Sequence, residues 1–151
     1  MKRSLAALFL LAATAFAAPN LSGEWKLNLS KSQYGTVPAP LEVTRRIKHD
    51  GVALFMSTYQ KTQQREVTSE LLYTTDGKVC VNKMSTGEAS GTAKWDGDKL
   101  VIESSQKVQN AELKSREVWT LSPDGKTLTI ATHLALPQQG EFDVKQVFEK
   151  Q

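Results

Sequence analysis

The chain has 151 residues, 40% of them hydrophobic, and its 19 Lys and Arg residues nearly balance 16 Asp and Glu residues. Charges of both signs are interspersed along the chain, which argues against a nucleic-acid-binding surface. The single cysteine, Cys80, excludes an intramolecular disulfide, so the fold must depend on its hydrophobic core. This length is typical of one domain.

The first 17 residues have the pattern of a cleaved secretion signal. Two basic residues precede an apolar stretch from Leu5 to Phe16, which ends in the A-x-A form of a signal-peptidase site. That stretch of about 12 residues is shorter than the roughly 20 that a membrane-spanning helix needs. We therefore expect cleavage after Ala17 and a secreted or periplasmic domain of residues 18–151, without a membrane span. The leader holds two basic and no acidic residues, which leaves 17 basic against 16 acidic residues and a net charge of +1.

The remaining chain alternates short β-prone runs with Asp-Gly dipeptides, at residues 50–51, 76–77, 96–97 and 124–125. Asp-Gly between alternating apolar residues favours a hairpin turn, because Gly reaches positive φ without steric cost. A longer Gly-containing turn is expected from Thr86-Gly87 to Ser90-Gly91, and the Pro-rich residues 37–40 predict a connection rather than a strand. In chain order, the predicted strands are Gly23–Leu29, Glu42–Lys48, Val52–Gln60, Glu66–Thr74, Lys78–Lys83, Gly91–Trp95, Lys99–Lys107, Glu112–Leu121, Thr127–Leu134 and Glu141–Phe148.

These ten strands predict an all-β fold, an antiparallel up-and-down barrel. Most strands show period-2 alternation, and a helical period of 3.6 is absent after the leader. Almost no helix is therefore expected after residue 20. A flat sheet of ten sequential strands would expose two edges, which closure into a barrel removes.

Polar residues interrupt the predicted apolar faces. Arg45 lies in phase between Val43 and Ile47, and Glu117 lies in phase with Trp119. A filled core would penalise each such group unless it were paired, whereas a hydrated barrel interior tolerates it. An Arg45–Glu117 pair in the interior would hold a polar ligand; the alternatives are an outward surface pair and an internal salt bridge. The candidate ligand-binding residues are Arg45, Met56, Tyr73, Ile102, Ser104, Glu117, Trp119, Ile130, Gln146 and Phe148.

Both ends of the chain resemble calycin barrels, the group of the lipocalins and the fatty-acid-binding proteins. The opening Gly23-Glu24-Trp25 resembles the Gly-x-Trp start of their first strand, and the closing residues 147–150 are similar to the last strand of the fatty-acid-binding group. The chain also resembles small secreted lipocalin-like proteins of bacteria. The resemblance implies that Gly23 and Trp25 close one end of the barrel. It also implies a late basic residue packed on this tryptophan, for which Lys145 is the candidate.

Two departures limit the resemblance. Fatty-acid-binding proteins have a helix–turn–helix after their first strand, and residues 30–40 are too short for two helices and contain two prolines. Those proteins also bind the carboxylate with an Arg-x-Tyr pair on the last strand, where this chain has Gln146 and Phe148. The barrel is therefore implied, and fatty-acid binding through that pair is not.

No catalytic or metal-binding motif is present in the sequence. The two histidines, His49 and His133, belong to no metal-ligand spacing, and neither a nucleophile elbow nor a phosphate-binding loop occurs. We expect a monomeric, non-enzymatic protein without cofactor or metal that carries a small apolar or mixed-polarity ligand inside the barrel. The alternative is an interaction or inhibitor module of the cell envelope with a filled barrel, and an enzyme is the third hypothesis.

Overall fold

The protein forms a ten-stranded antiparallel barrel, which confirms the predicted fold class. The structure is a computed structural model that describes residues 17–108 and 110–151, so the predicted leader lies almost entirely outside the described residues. The one helical element in the described part is a single 3₁₀ turn at Leu29–Lys31. The strands are β1 (Gly23–Leu27), β2 (Glu42–Asp50), β3 (Ala53–Lys61), β4 (Glu66–Thr74), β5 (Cys80–Met84), β6 (Gly87–Asp96), β7 (Lys99–Val108), β8 (Ala111–Leu121), β9 (Thr127–Leu136) and β10 (Gly140–Lys150).

The strands form one sheet in the order β4-β3-β2-β1-β10-β9-β8-β7-β6-β5. Every neighbouring pair in this order is consecutive in sequence except β1 and β10, where the first strand pairs with the last, Trp25 opposite Lys150 and Leu27 opposite Phe148. Strands β4 and β5 are consecutive in sequence but stand at the two edges of the sheet. The barrel is therefore nearly closed, with a seam between β4 and β5.

One side chain bridges this seam in place of a backbone ladder. The Leu72 amide donates to Oδ1 of Asn82 at 2.7 Å, and Nδ2 of Asn82 donates to the Leu72 carbonyl at 3.1 Å. Asn82 is buried at 7% exposure. An Asn side chain presents one acceptor and two donors, so it mimics the pair of bonds that a neighbouring strand would supply.

Two predicted turns are wrong. Met84 pairs with Gly87, so a two-residue loop joins β5 to β6, and β6 begins four residues earlier than predicted. Gly87 has φ +128°, a conformation that side chains rarely adopt, and this lets the chain reverse direction within two residues. At the seam, the Gly77 amide donates to the Ala93 carbonyl at 2.9 Å, so Asp76-Gly77 bonds to β6 and closes no hairpin.

The two ends of the barrel differ. Because strand direction alternates, all four Asp-Gly turns fall at one end, which we call the closed end. The fully buried large side chains lie toward it, among them Trp25, Leu54, Leu100, Leu128 and Phe148. The opposite, open end carries the connections β1–β2, β3–β4, β5–β6, β7–β8 and β9–β10.

Candidate functional site

Trp25 forms the base of the barrel interior. It is fully buried, and its Nε1 donates to the Leu21 carbonyl at 3.0 Å. Lys150 crosses its ring, with Nζ 5.3 Å from the ring centroid, and a Cβ at Gly23 would lie 2.6 Å from Lys150 Cε. The expectation that Lys145 packs on this tryptophan is wrong. Lys145 is exposed and forms an isolated bridge with Gln33, whereas the cross-strand partner of Trp25 is Lys150.

Burial of the inward side chains falls from the closed end to the open end along several strands. Along β7, Leu100 and Ile102 are buried, whereas Ser104 and Gln106 keep accessible surface. Strands β3, β4, β8 and β9 show the same gradient, whereas Val43 on β2, Ala89 on β6 and Val144 on β10 stay buried in the open half. The partly exposed side chains are in phase with the core, so their accessible surface faces the interior. Inward side chains of the open half thus retain accessible surface, and we call the space that they face the lumen. Partly exposed inward residues of the other strands include Thr58, Ser69, Leu71, Leu113, Ser115, Glu117, Thr132, Leu134, Phe142 and Gln146.

Arg45 lies at the boundary between the core and the lumen. Its Cζ lies 5.1 Å from the centroid of the Trp119 ring and 5.2 Å from that of Phe148. The Nε and Nη1 atoms are buried without a hydrogen-bond partner, so Nη2 is the guanidinium nitrogen left to contact the lumen. Desolvation lowers the pKa of Arg45, and the charges of Glu117 and Tyr34 oppose that shift. The two aromatic rings attract the guanidinium but supply no hydrogen-bond acceptor in its plane.

Tyr34 approaches Arg45 from the connection between β1 and β2. Backbone hydrogen bonds in both directions between Gln33 and Lys145, 2.7 and 2.8 Å long, hold this connection against β10. The Tyr34 hydroxyl accepts from Nε2 of Gln146 at 2.9 Å. Burial raises the pKa of Tyr34, although the Gln146 bond and the Arg45 charge oppose the shift. The hydroxyl therefore stays protonated at neutral pH and keeps its own proton to donate.

Glu117 faces the same lumen from β8. One carboxylate oxygen, Oε2, accepts from Nε1 of Trp119 at 2.7 Å. Among the described residues, no ion pair within 4 Å joins Glu117 to Arg45. Neither an outward surface pair nor a direct internal salt bridge describes these two residues.

A group of hydroxyls lies next to Glu117. Oγ of Ser104 and Oγ of Ser115 are 2.8 Å apart across β7 and β8. Burial and the nearby Glu117 charge raise the pKa of Tyr73 to about 12, and a hydrogen bond with Ser104 opposes the shift. Tyr73 is therefore neutral at physiological pH and remains a hydroxyl donor.

The structure places all ten sequence-predicted candidates on the inner face. Six of them form the buried floor, namely Met56, Tyr73, Ile102, Trp119, Ile130 and Phe148. The other four, Arg45, Ser104, Glu117 and Gln146, keep accessible surface in the lumen. Tyr34 is a lumen residue that the strand pattern does not predict, because it lies outside every predicted strand. The sequence feature that indicates such a residue is a single aromatic side chain in an otherwise polar and Pro-rich connection.

The two histidines lie outside this lumen. Nδ1 of His49 accepts from the Leu21 amide at 3.5 Å at the closed end. His133 lies on the outer surface, where Nδ1 is 2.8 Å from Oδ1 of Asp143. No group of three or more His, Cys, Asp or Glu side chains in the described chain is placed to hold a metal ion. Within residues 17–108 and 110–151, no helix has the length and apolar character needed to cross a membrane.

A groove of about 490 Å³ lies on the outer face of β6–β9. Its walls include Glu103, Ser105, Arg116 and His133, which point away from the interior because their strand neighbours Ile102, Ser104 and Glu117 point inward. Ser104 and Ser115, in phase with the interior, also contribute to its lining. The groove is separated from Arg45 by the sheet. We place the candidate site in the lumen, where buried unpartnered polar atoms occur, rather than in this open surface feature.

No protein-family model matches the chain, and no curated protein is similar to it. Solved structures are similar in fold. Zebrafish ileal bile acid-binding protein complexed with cholic acid is 16% identical with a TM-score of 0.59, over 87% of this chain and 98% of that one. A SAHS (abundant heat soluble) protein of Ramazzottius varieornatus is 11% identical with a TM-score of 0.64, over 89% and 98%. A Schistosoma mansoni fatty acid binding protein in complex with arachidonic acid is 14% identical with a TM-score of 0.51, over 87% and 95%.

These similarities extend over nearly the whole barrel, and they show the fold. The chain has a calycin-like, lipocalin-like barrel, as its Gly-x-Trp opening and strand pattern predicted. Site residues do not transfer at such low identity, so the chemistry of this lumen must be read from its own side chains.

Proposed function

We propose that this protein is a secreted, non-enzymatic carrier that binds a small amphipathic molecule in the open half of its barrel. The observation that carries the proposal is Arg45, a guanidinium with two buried, unpartnered nitrogens between two aromatic rings at the floor of an accessible lumen. Burying an unpaired charge is unfavourable, and a ligand group that accepts a hydrogen bond offsets that cost.

The rest of the lumen supports the same function. Apolar and aromatic side chains form its floor, and a few polar groups project into it, which is the usual composition of a small-molecule site. Barrels of this size hold one small ligand. Two of the structurally similar proteins have an amphipathic acid bound, cholic acid in one and arachidonic acid in the other. The leader pattern of residues 1–17 supports secretion.

Two neighbouring serines on β7 provide a matched test. Ser104 faces the lumen, and Ser105 faces the outer groove. A tryptophan at residue 104 fills the lumen, whereas a tryptophan at residue 105 leaves it unchanged. We expect Ser104→Trp to weaken binding of the neutral dye Nile red by about tenfold or more, which is a loss of about 1.4 kcal/mol. Ser105→Trp is expected to bind the dye like the parent protein, with fluorescence titration as the measurement.

Thermal unfolding of both variants separates a blocked lumen from a lost fold. If Ser104→Trp is unstable, Ser115→Phe occludes the same region from β8. Loss of binding in Ser105→Trp alone would assign the ligand to the outer groove. No dye binding by the parent protein would overturn the proposal and favour an interaction module. Native mass spectrometry of protein from its own host would identify a co-purifying small molecule.

A further inference from the structure

The lumen contains two opposite charges that do not neutralise each other by direct contact. Within the described strands, Arg45 and Glu117 are the charged side chains at lumen-facing positions. Lys150 lies in the same phase, but it is exposed at the closed end and does not face the lumen. Both contact one indole. The Arg45 Cζ lies 5.1 Å from the Trp119 ring centroid, and Glu117 accepts the Trp119 ring N–H at 2.7 Å.

Each charge retains hydrogen-bonding capacity that no described residue uses. Arg45 makes no hydrogen bond to any described residue, and the single bond to Glu117 within the described chain uses only Oε2. An occupant of the space between them therefore meets donors on one side and a carboxylate acceptor on the other. The charges of Arg45 and Glu117 are opposite, so this pair gives the lumen no net charge.

We propose that the polar head group of the ligand is electrically neutral and presents an acceptor beside a donor, as a carboxamide does. This inference rests on the proposed function and specifies its ligand class. The amide carbonyl accepts from Arg45 with Tyr34 as a neighbouring donor, and the amide N–H donates to Glu117. Both ends of the head group then match the lumen.

Other head groups satisfy only one side. A carboxylate pairs with Arg45 but brings a second negative charge toward Glu117, and like charges in one site repel. An ammonium group has the same difficulty with Arg45. A hydrocarbon leaves both charges desolvated and without a new partner, which is unfavourable in a low-dielectric interior. A neutral head group with both a donor and an acceptor avoids the like-charge repulsion and also the cost of leaving the two charges without a partner.

Decanamide and decanoate form a matched pair of probes, since they share one chain length and differ only in the head group. At pH 7.4 we expect the parent protein to bind decanamide about tenfold tighter than decanoate, measured by displacement of Nile red. The amide gains one charge-assisted hydrogen bond to Glu117, whereas the carboxylate makes one like-charge contact with it. Glu117→Gln removes the negative charge and retains an amide oxygen for the Trp119 N–H. We expect it to shift the amide-to-acid preference toward decanoate by about tenfold.

Glu103→Gln is the control, because Glu103 lies on the outer face, where it pairs with Arg116 at 3.4 Å. It is expected to leave the preference unchanged. Tighter binding of decanoate by the parent protein, or an unchanged preference in Glu117→Gln, would overturn the inference while leaving a lumen carrier in place. Failure of both probes and of Nile red would overturn the proposed function itself.

Discussion

Gly23, Trp25 and Lys150 show how single residues close this barrel. Trp25 is fully buried, and Lys150 covers its ring across the first and last strands. Gly23 has φ +146°, and the Lys150 side chain occupies the space where a Cβ would lie. The Gly-x-Trp motif thus supplies two members of a three-residue packing arrangement. The third member, Lys150, is 125 residues from Trp25 in sequence.

Trp25→Ala is expected to be strongly destabilising. Removing a large, fully buried aromatic side chain costs about 3–5 kcal/mol through lost burial and the cavity left behind. Chemical denaturation measures the effect as a lower midpoint at unchanged slope. Trp95→Ala is the control, because Trp95 is only partly buried and its loss is expected to cost less. Equal midpoints for the parent protein and Trp25→Ala would contradict the assigned packing.

His133 is expected to titrate above its ordinary pKa of 6.5. The hydrogen bond that the His133 ring donates to Asp143 is the main cause of the raised pKa, desolvation opposes it, and the charges of Asp143 and Glu141 add to it. Because the folded-state pKa is raised, the pair stabilises the fold fully below about pH 6.5 and loses that contribution as the pH rises through the folded-state value. An NMR titration of the His133 ring checks the direction. In Asp143→Asn the midpoint should fall toward 6.5, and an unchanged midpoint would exclude Asp143 as the cause.

At the scale of elements, the seam is the place where the sheet departs from a complete barrel. Strands β4 and β5 are joined by a short connection that bonds to β6, so their facing edges lack a ladder. Asn82 supplies both bonds to the Leu72 backbone. A buried side chain thereby protects an edge that would otherwise be available for pairing with another chain.

Variants at residue 82 separate the two bonds. Asn82→Asp keeps the acceptor for the Leu72 amide and loses the donor, whereas Asn82→Leu loses both. We expect the Leu72 amide to exchange with solvent much faster in Asn82→Leu than in Asn82→Asp, by hydrogen-exchange NMR. Asn82→Leu should also cost about 1–3 kcal/mol, because it removes both partly buried hydrogen bonds to the Leu72 backbone. Equal Leu72 protection in both variants would show that Asn82 does not hold the seam.

Gly91 marks a close approach between β6 and β7. A Cβ at this residue would lie 2.5 Å from the Glu103 carbonyl oxygen and 2.9 Å from Ser104 Cβ. Backbone atoms cannot move aside as a flexible side chain does, so Gly91→Ala is expected to cost about 1–3 kcal/mol. Ser90→Ala, one residue away on the outer face, is the control and should change the free energy of unfolding little. A neutral Gly91→Ala would show that the two strands separate easily.

At the scale of the whole molecule, the barrel has a solid half and an accessible half. Large apolar side chains fill the closed end, and mixed polar residues line the open end. The described chain begins close to the solid half, where Ala17 and Ala18 are exposed and Leu21 is buried beside Trp25. Cleavage after Ala17 would leave Leu21 in the mature protein, where it contributes to the closed end.

We expect the host to secrete the protein with Ala18 as its first residue, because Ala15-Phe16-Ala17 has the form of a signal-peptidase site. Intact-mass and N-terminal peptide analysis check this expectation. Ala17→Leu places a large residue where signal peptidase requires a small one, and it should block processing at this bond. Secreted protein that retains Met1, or that begins beyond Leu21, would contradict the predicted site.

Local rules in the sequence determined the strands, the hairpins and the inner face. Period-2 alternation depends only on which side of a strand each residue occupies, so it placed Arg45, Glu117 and Trp119 on one face without knowledge of the barrel. The Asp-Gly turns at residues 50–51 and 96–97 likewise follow from backbone preferences of neighbouring residues. These features need no information from distant parts of the chain.

Only the tertiary structure decided which residues meet across the interior. Strand closure and register decided that Lys150 rather than Lys145 packs on Trp25, that a seam lies at Asp76-Gly77, and that Tyr34 reaches Gln146. The contact of both Arg45 and Glu117 with the Trp119 indole is likewise a relation between strands, which alternation along a strand does not encode. Sequence determines the face on which a side chain lies, whereas its partners depend on how ten strands close around a common interior.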